Sequence, residues 1–127
     1  MSTQVIDWDE AMQQCGEDEE FLRELLGDLR DETNTQMAKM EEVIRNPTGS
    51  PFVELHRAAH VIKGAASNLM CSQLRDTALA LESAATSAAN APDGATNPAV
   101  IDTVKAKFEE LKNAVCLYNA HLTSLNV

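Results

Sequence analysis

The sequence has few aromatic residues, with one Trp, one Tyr and three Phe among 127 residues. Alanine is abundant instead, and this balance favours closely packed helices over a sheet. No apolar run approaches the roughly 18 residues that a membrane span needs. The first residues, Met1 to Gln4, lack the basic and apolar segments of a secretory signal. We therefore expect no membrane segment and a cytoplasmic location, or a nuclear one as well if the source is a eukaryote.

Positively charged residues are also scarce. The sequence has 10 Lys and Arg but 20 Asp and Glu, which gives a formal net charge of -10. Such a surface repels nucleic-acid backbones and anionic membranes, which bind proteins through Lys and Arg. Nucleic acid and membrane are therefore excluded as expected partners. One stretch is less acidic than the rest, since Arg57, Lys63 and Arg75 lie around His60.

The three cysteines, Cys15, Cys71 and Cys116, are far apart and form no Cys-x-x-Cys pair. This spacing fits neither a disulfide framework nor a zinc site, and it predicts small apolar residues in a reducing compartment. The sequence also has no Gly-x-Ser-x-Gly motif and no phosphate-cradling glycine loop. We therefore expect no autonomous kinase or phosphatase activity.

Residues 46–51 and 90–98 are rich in Asn, Pro and Gly and predict loops. Between them the apolar spacing is helical. Asp7 is predicted to cap a short first helix that closes at Gly16, and Ser72 to cap the fourth helix. The four long amphipathic helices are predicted near 18–45, 51–69, 72–88 and 98–122. Residues 1–127 are thus predicted to form one all-α domain, an antiparallel up-down four-helix bundle with a short extra N-terminal helix.

The third predicted helix carries a histidine on its polar side. At about 100° per residue, His60 lies roughly 130° from the centre of the apolar face. Lys63 follows one turn later, and Gly64 removes the side chain that would crowd the imidazole. Because glycine in a helix interior costs about 1 kcal/mol relative to Ala, Gly64 needs a steric reason. These features predict a nucleophile for a phosphoryl group. The apolar face consists of Phe52, Leu55, Ala59, Ile62, Ala66 and Leu69.

Two other interpretations stay open. In a helical adaptor, His60 would be incidental and the exposed face would only bind a partner helix. In a metal-binding bundle, His56, His60 and Glu82 would be the ligands, since the two histidines have the i, i+4 spacing of helical zinc ligands. However, no Glu follows His56 as in His-Glu-x-x-His, and Lys63 would repel a cation.

The segment Ala59-His60-x-x-Lys63-Gly64, followed by Ser67-Asn68-Leu69, resembles the signature of histidine-containing phosphotransfer (HPt) domains. Ile6-Asp7-Trp8, residues 16–22 and residues 74–82 also resemble that family. The resemblance covers nearly the whole chain and fades in the last two loops and the final helix.

The resemblance implies a phosphorelay intermediate that takes a phosphoryl group from an aspartate of one receiver domain and gives it to another. His60 would be the acceptor through Nε2, Lys63 would balance the phosphoryl charge, and Gly64 would give clearance. The implied partners are response-regulator receiver domains and a hybrid sensor histidine kinase. No cofactor is implied for this chain, because Mg²⁺ would belong to the receiver.

A nucleophilic imidazole reacts best when its other nitrogen keeps the proton. Glu82 lies on the helix expected to pack beside the third, roughly where the family places an acceptor for Nδ1–H, and we predict that it orients His60. A solvated carboxylate on a helix face is the alternative for Glu82. The family usually has Gly ten residues after the histidine, where this chain has Met70. The predicted partner-binding surface consists of Ala58, Val61, Ala65, Ser67 and Leu69.

Overall fold

The chain folds into five helices in the computed structural model, which describes residues 6–46, 49–92 and 97–127. These residues contain no strand, so the all-α prediction is confirmed. None of the helices found there is both long and apolar enough to cross a membrane. In chain order the helices are α1 (Trp8–Gln14), α2 (Glu19–Arg45), α3 (Pro51–Asn68), α4 (Ser72–Asn90) and α5 (Pro98–Ser124).

The four long helices form a closed ring, in which α2 packs on α3, α3 on α4, α4 on α5, and α5 back on α2. Consecutive helices joined by short connections run antiparallel, and this gives the predicted up-down bundle. The short α1 packs on α2. The backbone N–H of Asp7, just before α1, donates to the carbonyl of Met70 at 3.0 Å. The leading helix therefore lies at the end of the bundle where α3 turns into α4.

Of the two predicted helix caps, one is confirmed and one is wrong. The side chain of Asp7 accepts from the backbone N–H of Glu10 at 3.1 Å, as predicted for the cap of α1. Asp18 caps α2 in the same way. The prediction that Ser72 caps α4 is wrong, because Ser72 is already the first helical residue. Cys71 holds the cap position and makes no side-chain cap bond.

The core is made of the predicted apolar stripes. On α4 the buried positions include Leu74, Ala78, Leu81, Ala85 and Ala88.

Burial in this interior changes the pKa values of two side chains, Tyr118 and Cys71. The hydroxyl of Tyr118 on α5 donates to the carbonyl of Leu26 on α2 at 2.8 Å, and burial raises the pKa of Tyr118. Burial also raises the pKa of Cys71 to about 12, so this thiol acts as a small apolar residue, as predicted. Cys116 is exposed instead.

The turn between α3 and α4 gives a physical reason for the glycine that the family has ten residues after the histidine. Met70 has φ 59°, in the left-handed region that favours glycine. The N–H of Cys71 donates to the carbonyl of Ala66 at 3.0 Å, and that of Met70 to Ser67 at 3.4 Å. This pair of bonds is the Schellman ending of a helix, in which the left-handed residue is usually Gly.

We expect Met70→Gly to be more stable than Met70→Ala by about 1 kcal/mol, because both variants lose the Met side chain but only Ala keeps a Cβ at positive φ. Urea unfolding of the two variants measures the difference. The control is Ala106→Gly at an exposed position of α5, where the order reverses and Gly costs about 1 kcal/mol. If Ala at position 70 is as stable as Gly, the left-handed turn is not a source of strain.

Candidate functional site

His60 lies on the solvent side of α3, as predicted. Its side chain is 62% exposed, whereas its neighbours Ala59 and Ile62 are fully buried. The ring therefore stands on the surface of the bundle, anchored by a helix face that packs tightly beneath it.

A carboxylate from the neighbouring helix holds one side of the ring. Nδ1 of His60 is 2.7 Å from Oε2 of Glu82, a residue of α4 that is 8% exposed. Since a carboxylate at neutral pH only accepts, the ring nitrogen donates, and the proton sits on Nδ1. The unprotonated Nε2 then points away from the carboxylate. Within the described residues, no group forms a hydrogen bond with Nε2.

Lys63 binds the other oxygen of the same carboxylate. Its Nζ lies 2.9 Å from Oε1 of Glu82. Burial by itself raises the pKa of Glu82, but the hydrogen bonds and charges of Lys63 and His60 outweigh burial, and the net pKa is lowered. Glu82 therefore stays ionised and bridges the two residues, so it is not a solvated carboxylate on a free helix face. The charge of Lys63 is balanced by Glu82 rather than left unpaired beside the ring.

Gly64 lies in open space. A Cβ placed on it would have no heavy atom within 4 Å beyond its own helical backbone. Packing of the bundle therefore does not require glycine here, although a helix interior disfavours it. Clearance for a partner therefore stays a prediction for Gly64, and no contact within the described residues accounts for the glycine.

A second histidine belongs to the same cluster. Nδ1 of His56 is 2.8 Å from the hydroxyl of Thr86 on α4, and the rings of His56 and His60 stack with centroids 6.2 Å apart. In the described part of the chain, no three His, Cys, Asp or Glu side chains are arranged as metal ligands.

Sequence reasoning missed Thr86 and the Lys63–Glu82 ion pair. A signal for Thr86 was available, because α3 and α4 run antiparallel. If His60 faces Glu82, the residue four positions earlier on α3 faces the residue four positions later on α4. The spacing of His56 and Thr86 fits this register.

The predicted partner-binding surface is only partly exposed. Val61 and Ser67 are exposed and Ala65 is half-buried, but Ala58 and Leu69 are buried at 6% and 8% exposure. The prediction that Ala58 and Leu69 form part of the surface is therefore wrong. The reason is that α3 packs on both α2 and α4, so its buried arc is wider than a single apolar face.

Next to Val61 lies an open groove of about 660 Å³ between α2 and α3. Ala58 lies at the floor of this groove, together with Met40 and Val43 of α2. Val61 of the predicted surface therefore borders a groove on the α2 side of α3, whereas His60 faces α4.

A family model identifies the family to which this chain belongs. The model of the Hpt domain matches residues 24–114, more than two thirds of the chain, including His60, Lys63, Gly64 and Glu82. The chain belongs to the Hpt domain family. Searches of curated proteins and of solved structures found no match.

Membership sets the general role of the chain. Hpt domains act in phosphorelays as histidine phosphotransfer carriers rather than as autonomous enzymes, and they interact with receiver domains of two-component systems. The matched range begins within α2, so α1 and its resemblance to the family leader lie outside it.

The lowered pKa of Glu82 predicts a pH dependence of stability. A carboxyl whose folded pKa is below its unfolded value stabilises the fold above the unfolded pKa, and this stability is lost as the pH falls through the folded pKa. We therefore expect the difference in unfolding free energy between wild type and Glu82→Gln to be larger at pH 7 than at pH 3. Urea unfolding at several pH values between these limits measures this difference.

The matched control is Glu54→Gln, which removes an exposed carboxylate from α3. It corrects for the general effect of removing one negative charge from an acidic protein. A Glu82→Gln difference that stays constant, or grows toward pH 3, would contradict the ion-pair assignment.

Proposed function

We propose that this Hpt domain accepts a phosphoryl group on Nε2 of His60 from the aspartate of one receiver domain and passes it to a second receiver. The observation that carries the proposal is the exposed His60 ring whose Nδ1 is held by Glu82 at 2.7 Å. This contact keeps the proton on Nδ1 and directs the Nε2 lone pair to solvent. We treat residues 1–127 as a single domain with this role.

The transfer step needs only a nucleophile and correct geometry from this chain. The Nε2 lone pair of His60 attacks phosphorus in line with the acyl phosphate, and a P–N bond forms. The P–O bond to the receiver aspartate breaks, and the carboxylate leaves with the electron pair. The Nδ1 proton remains on the ring, and Glu82 stabilises the positive charge that develops there. The second transfer is the reverse of this step with another receiver.

Lys63 would balance the charge of the phosphoryl oxygens. It follows His60 by one helical turn, and its ammonium is already fixed near the ring by Glu82. Because Glu82 lies between Lys63 and His60, the three side chains form one unit. The ammonium can thus interact with an incoming dianion over a short movement of its flexible stem.

Docking would use the exposed apolar and small residues around His60. Val61 is 38% exposed, and Ala65 and Ser67 lie on the next turn of α3. Leu79 is 45% exposed and stands three residues before Glu82 on α4. Exposed apolar side chains on both helices beside the acceptor suit a protein surface as partner.

The partners in this proposal are response-regulator receiver domains and the receiver of a hybrid sensor histidine kinase. We assign Mg²⁺ to the acidic pocket of the receiver and no cofactor to this chain. Most of the electrostatic stabilisation of the transferring group then comes from the partner, and the Hpt domain contributes position.

We expect His60→Gln to abolish phosphoryl transfer, because Gln has no ring nitrogen that can attack phosphorus. The experiment incubates the protein with a panel of receiver domains carrying radiolabelled phosphate and measures acid-labile label on the Hpt domain. Wild type should take up the label from at least one receiver.

The control for this experiment is His121→Gln, near the end of α5, which should behave as wild type. Failure of wild type to take label from any receiver would instead favour the helical adaptor. The metal-binding alternative additionally predicts that zinc raises the melting temperature of wild type and not of His60→Gln.

We expect Gly64→Ala to raise the unfolding free energy by about 0.5–1 kcal/mol and to slow the transfer. Ala is the better helix former, and the open space around position 64 accepts the methyl group within this chain. The added methyl group meets only the docked receiver. Thermal unfolding and the initial rate of transfer from a phosphorylated receiver measure the two effects.

Gly27→Ala on α2 is the matched control. Its Cβ would make ordinary contacts of 3.6 Å with Arg30 and 3.8 Å with Val127, on a helix that does not carry the cluster. This variant should leave the transfer rate unchanged. If Gly64→Ala also transfers at the wild-type rate, Gly64 does not provide clearance.

A further inference from the structure

His56 and Thr86 form a second pair across α3 and α4, one helical turn away from His60 and Glu82. Nδ1 of His56 lies 2.8 Å from Oγ1 of Thr86. Neither residue has a role in the transfer step described above. Their contacts with the His60–Glu82 pair suggest one.

The hydroxyl of Thr86 is already in use as a donor. Oγ1 of Thr86 lies 2.9 Å from the backbone carbonyl of Glu82, one turn earlier in α4. A hydroxyl has a single proton but can accept through its lone pairs. Oγ1 therefore donates to the carbonyl and accepts from Nδ1–H of His56. This arrangement holds the ring of His56 on Thr86, whose hydroxyl in turn bonds the backbone carbonyl of Glu82, the residue that orients His60.

The fixed ring of His56 borders His60 and Glu82. The two imidazoles stack with an interplanar angle of 15° and centroids 6.2 Å apart. Nε2 of His56 is 3.9 Å from Oε2 of Glu82, the oxygen that accepts from His60. This distance exceeds that of a hydrogen bond, so His56 does not compete for the oxygen. The His56 ring therefore flanks the His60 ring from the preceding turn of α3 without taking its hydrogen-bond partner.

We propose that His56, held by Thr86, is a positioning residue that keeps the His60 ring in the orientation needed for phosphoryl transfer. This inference rests on the proposed function of His60. Glu82 holds the 62% exposed side chain of His60 through a single ring atom, so without His56 the ring could still turn about that one hydrogen bond, and its Nε2 would sample directions away from the receiver. In-line attack requires the reacting atoms to be aligned, so lost alignment slows the step even when the nucleophile is intact.

Two substitutions at Thr86 separate positioning from packing. Thr86→Val keeps the shape of the side chain but removes the acceptor for His56. Thr86→Ser keeps the hydroxyl and should rescue the function. We expect Thr86→Val to slow transfer from a phosphorylated receiver on the order of tenfold, and Thr86→Ser to stay near the wild-type rate. His56→Ala, which also removes the stacked ring, should slow transfer at least as much as Thr86→Val.

The control for Thr86→Val is Thr103→Val on α5. The hydroxyl of Thr103 makes the same type of bond, to the carbonyl of Ala99 at 2.9 Å, but far along the chain from the cluster. The two valine variants should have similar melting temperatures, and Thr103→Val should transfer at the wild-type rate.

A spectroscopic readout tests orientation without any receiver. The ¹⁵N signals of the His60 ring at alkaline pH distinguish Nδ1–H from Nε2–H. Wild type and Thr86→Ser should show mainly the Nδ1–H form, whereas Thr86→Val and His56→Ala should show a mixture of both. Unchanged ring signals in Thr86→Val, or an unchanged transfer rate, would overturn the positioning role. Absence of transfer to wild type would instead contradict the proposed function, whatever the ring signals show.

Discussion

The buried carboxylate of Glu82 is the group on which the cluster depends. A charge in a protein interior is costly unless it is paired, and here Lys63 and His60 take one oxygen each. Both partners lie on α3, so α3 and α4 must pack in the register that brings them to Glu82. The same register brings His56 to Thr86. The register in which the buried apolar residues of α3 and α4 pack therefore also brings together the ion pair and the hydrogen bond that holds the exposed imidazole.

Much of the fold could be predicted from apolar spacing, because each long helix carries one continuous stripe and the loops are marked by Asn, Pro and Gly. The exposure of His60 could be predicted from its position on α3, and its contact with Glu82 across two helices was also predicted, with the help of the family resemblance. Other contacts that depend on how two helices meet were less accessible. The burial of Ala58 and Leu69 follows from the width of the contact of α3 with its neighbours. The Lys63–Glu82 ion pair could not be predicted, because it depends on which rotamer the long, flexible side chain of Lys63 adopts.

Met70 replaces the glycine that the family usually has, and this replacement leaves the His60 cluster unchanged. Its left-handed backbone belongs to the ending of α3, and its carbonyl accepts from Asp7 ahead of α1. Both roles are played by the main chain, which Met supplies as glycine does. A Cβ at positive φ lowers the stability of the turn. His60, Lys63 and Glu82 lie outside this turn, within the regular helices α3 and α4. The backbone strain at the turn therefore does not involve the side chains of the His60–Lys63–Glu82 cluster.

Gly64 within α3 and Met70 in the turn that follows it both depart from what the backbone favours. Glycine is present at position 64, in a helix interior where the bundle has no use for it, and absent at position 70, where the backbone favours it. A sequence shaped by folding alone would have the opposite preference at both positions. The packing of the bundle therefore does not explain the glycine at position 64, and the proposed clearance for a receiver would. This agrees with a carrier that holds one nucleophile in place and leaves the remaining chemistry to the docked receiver.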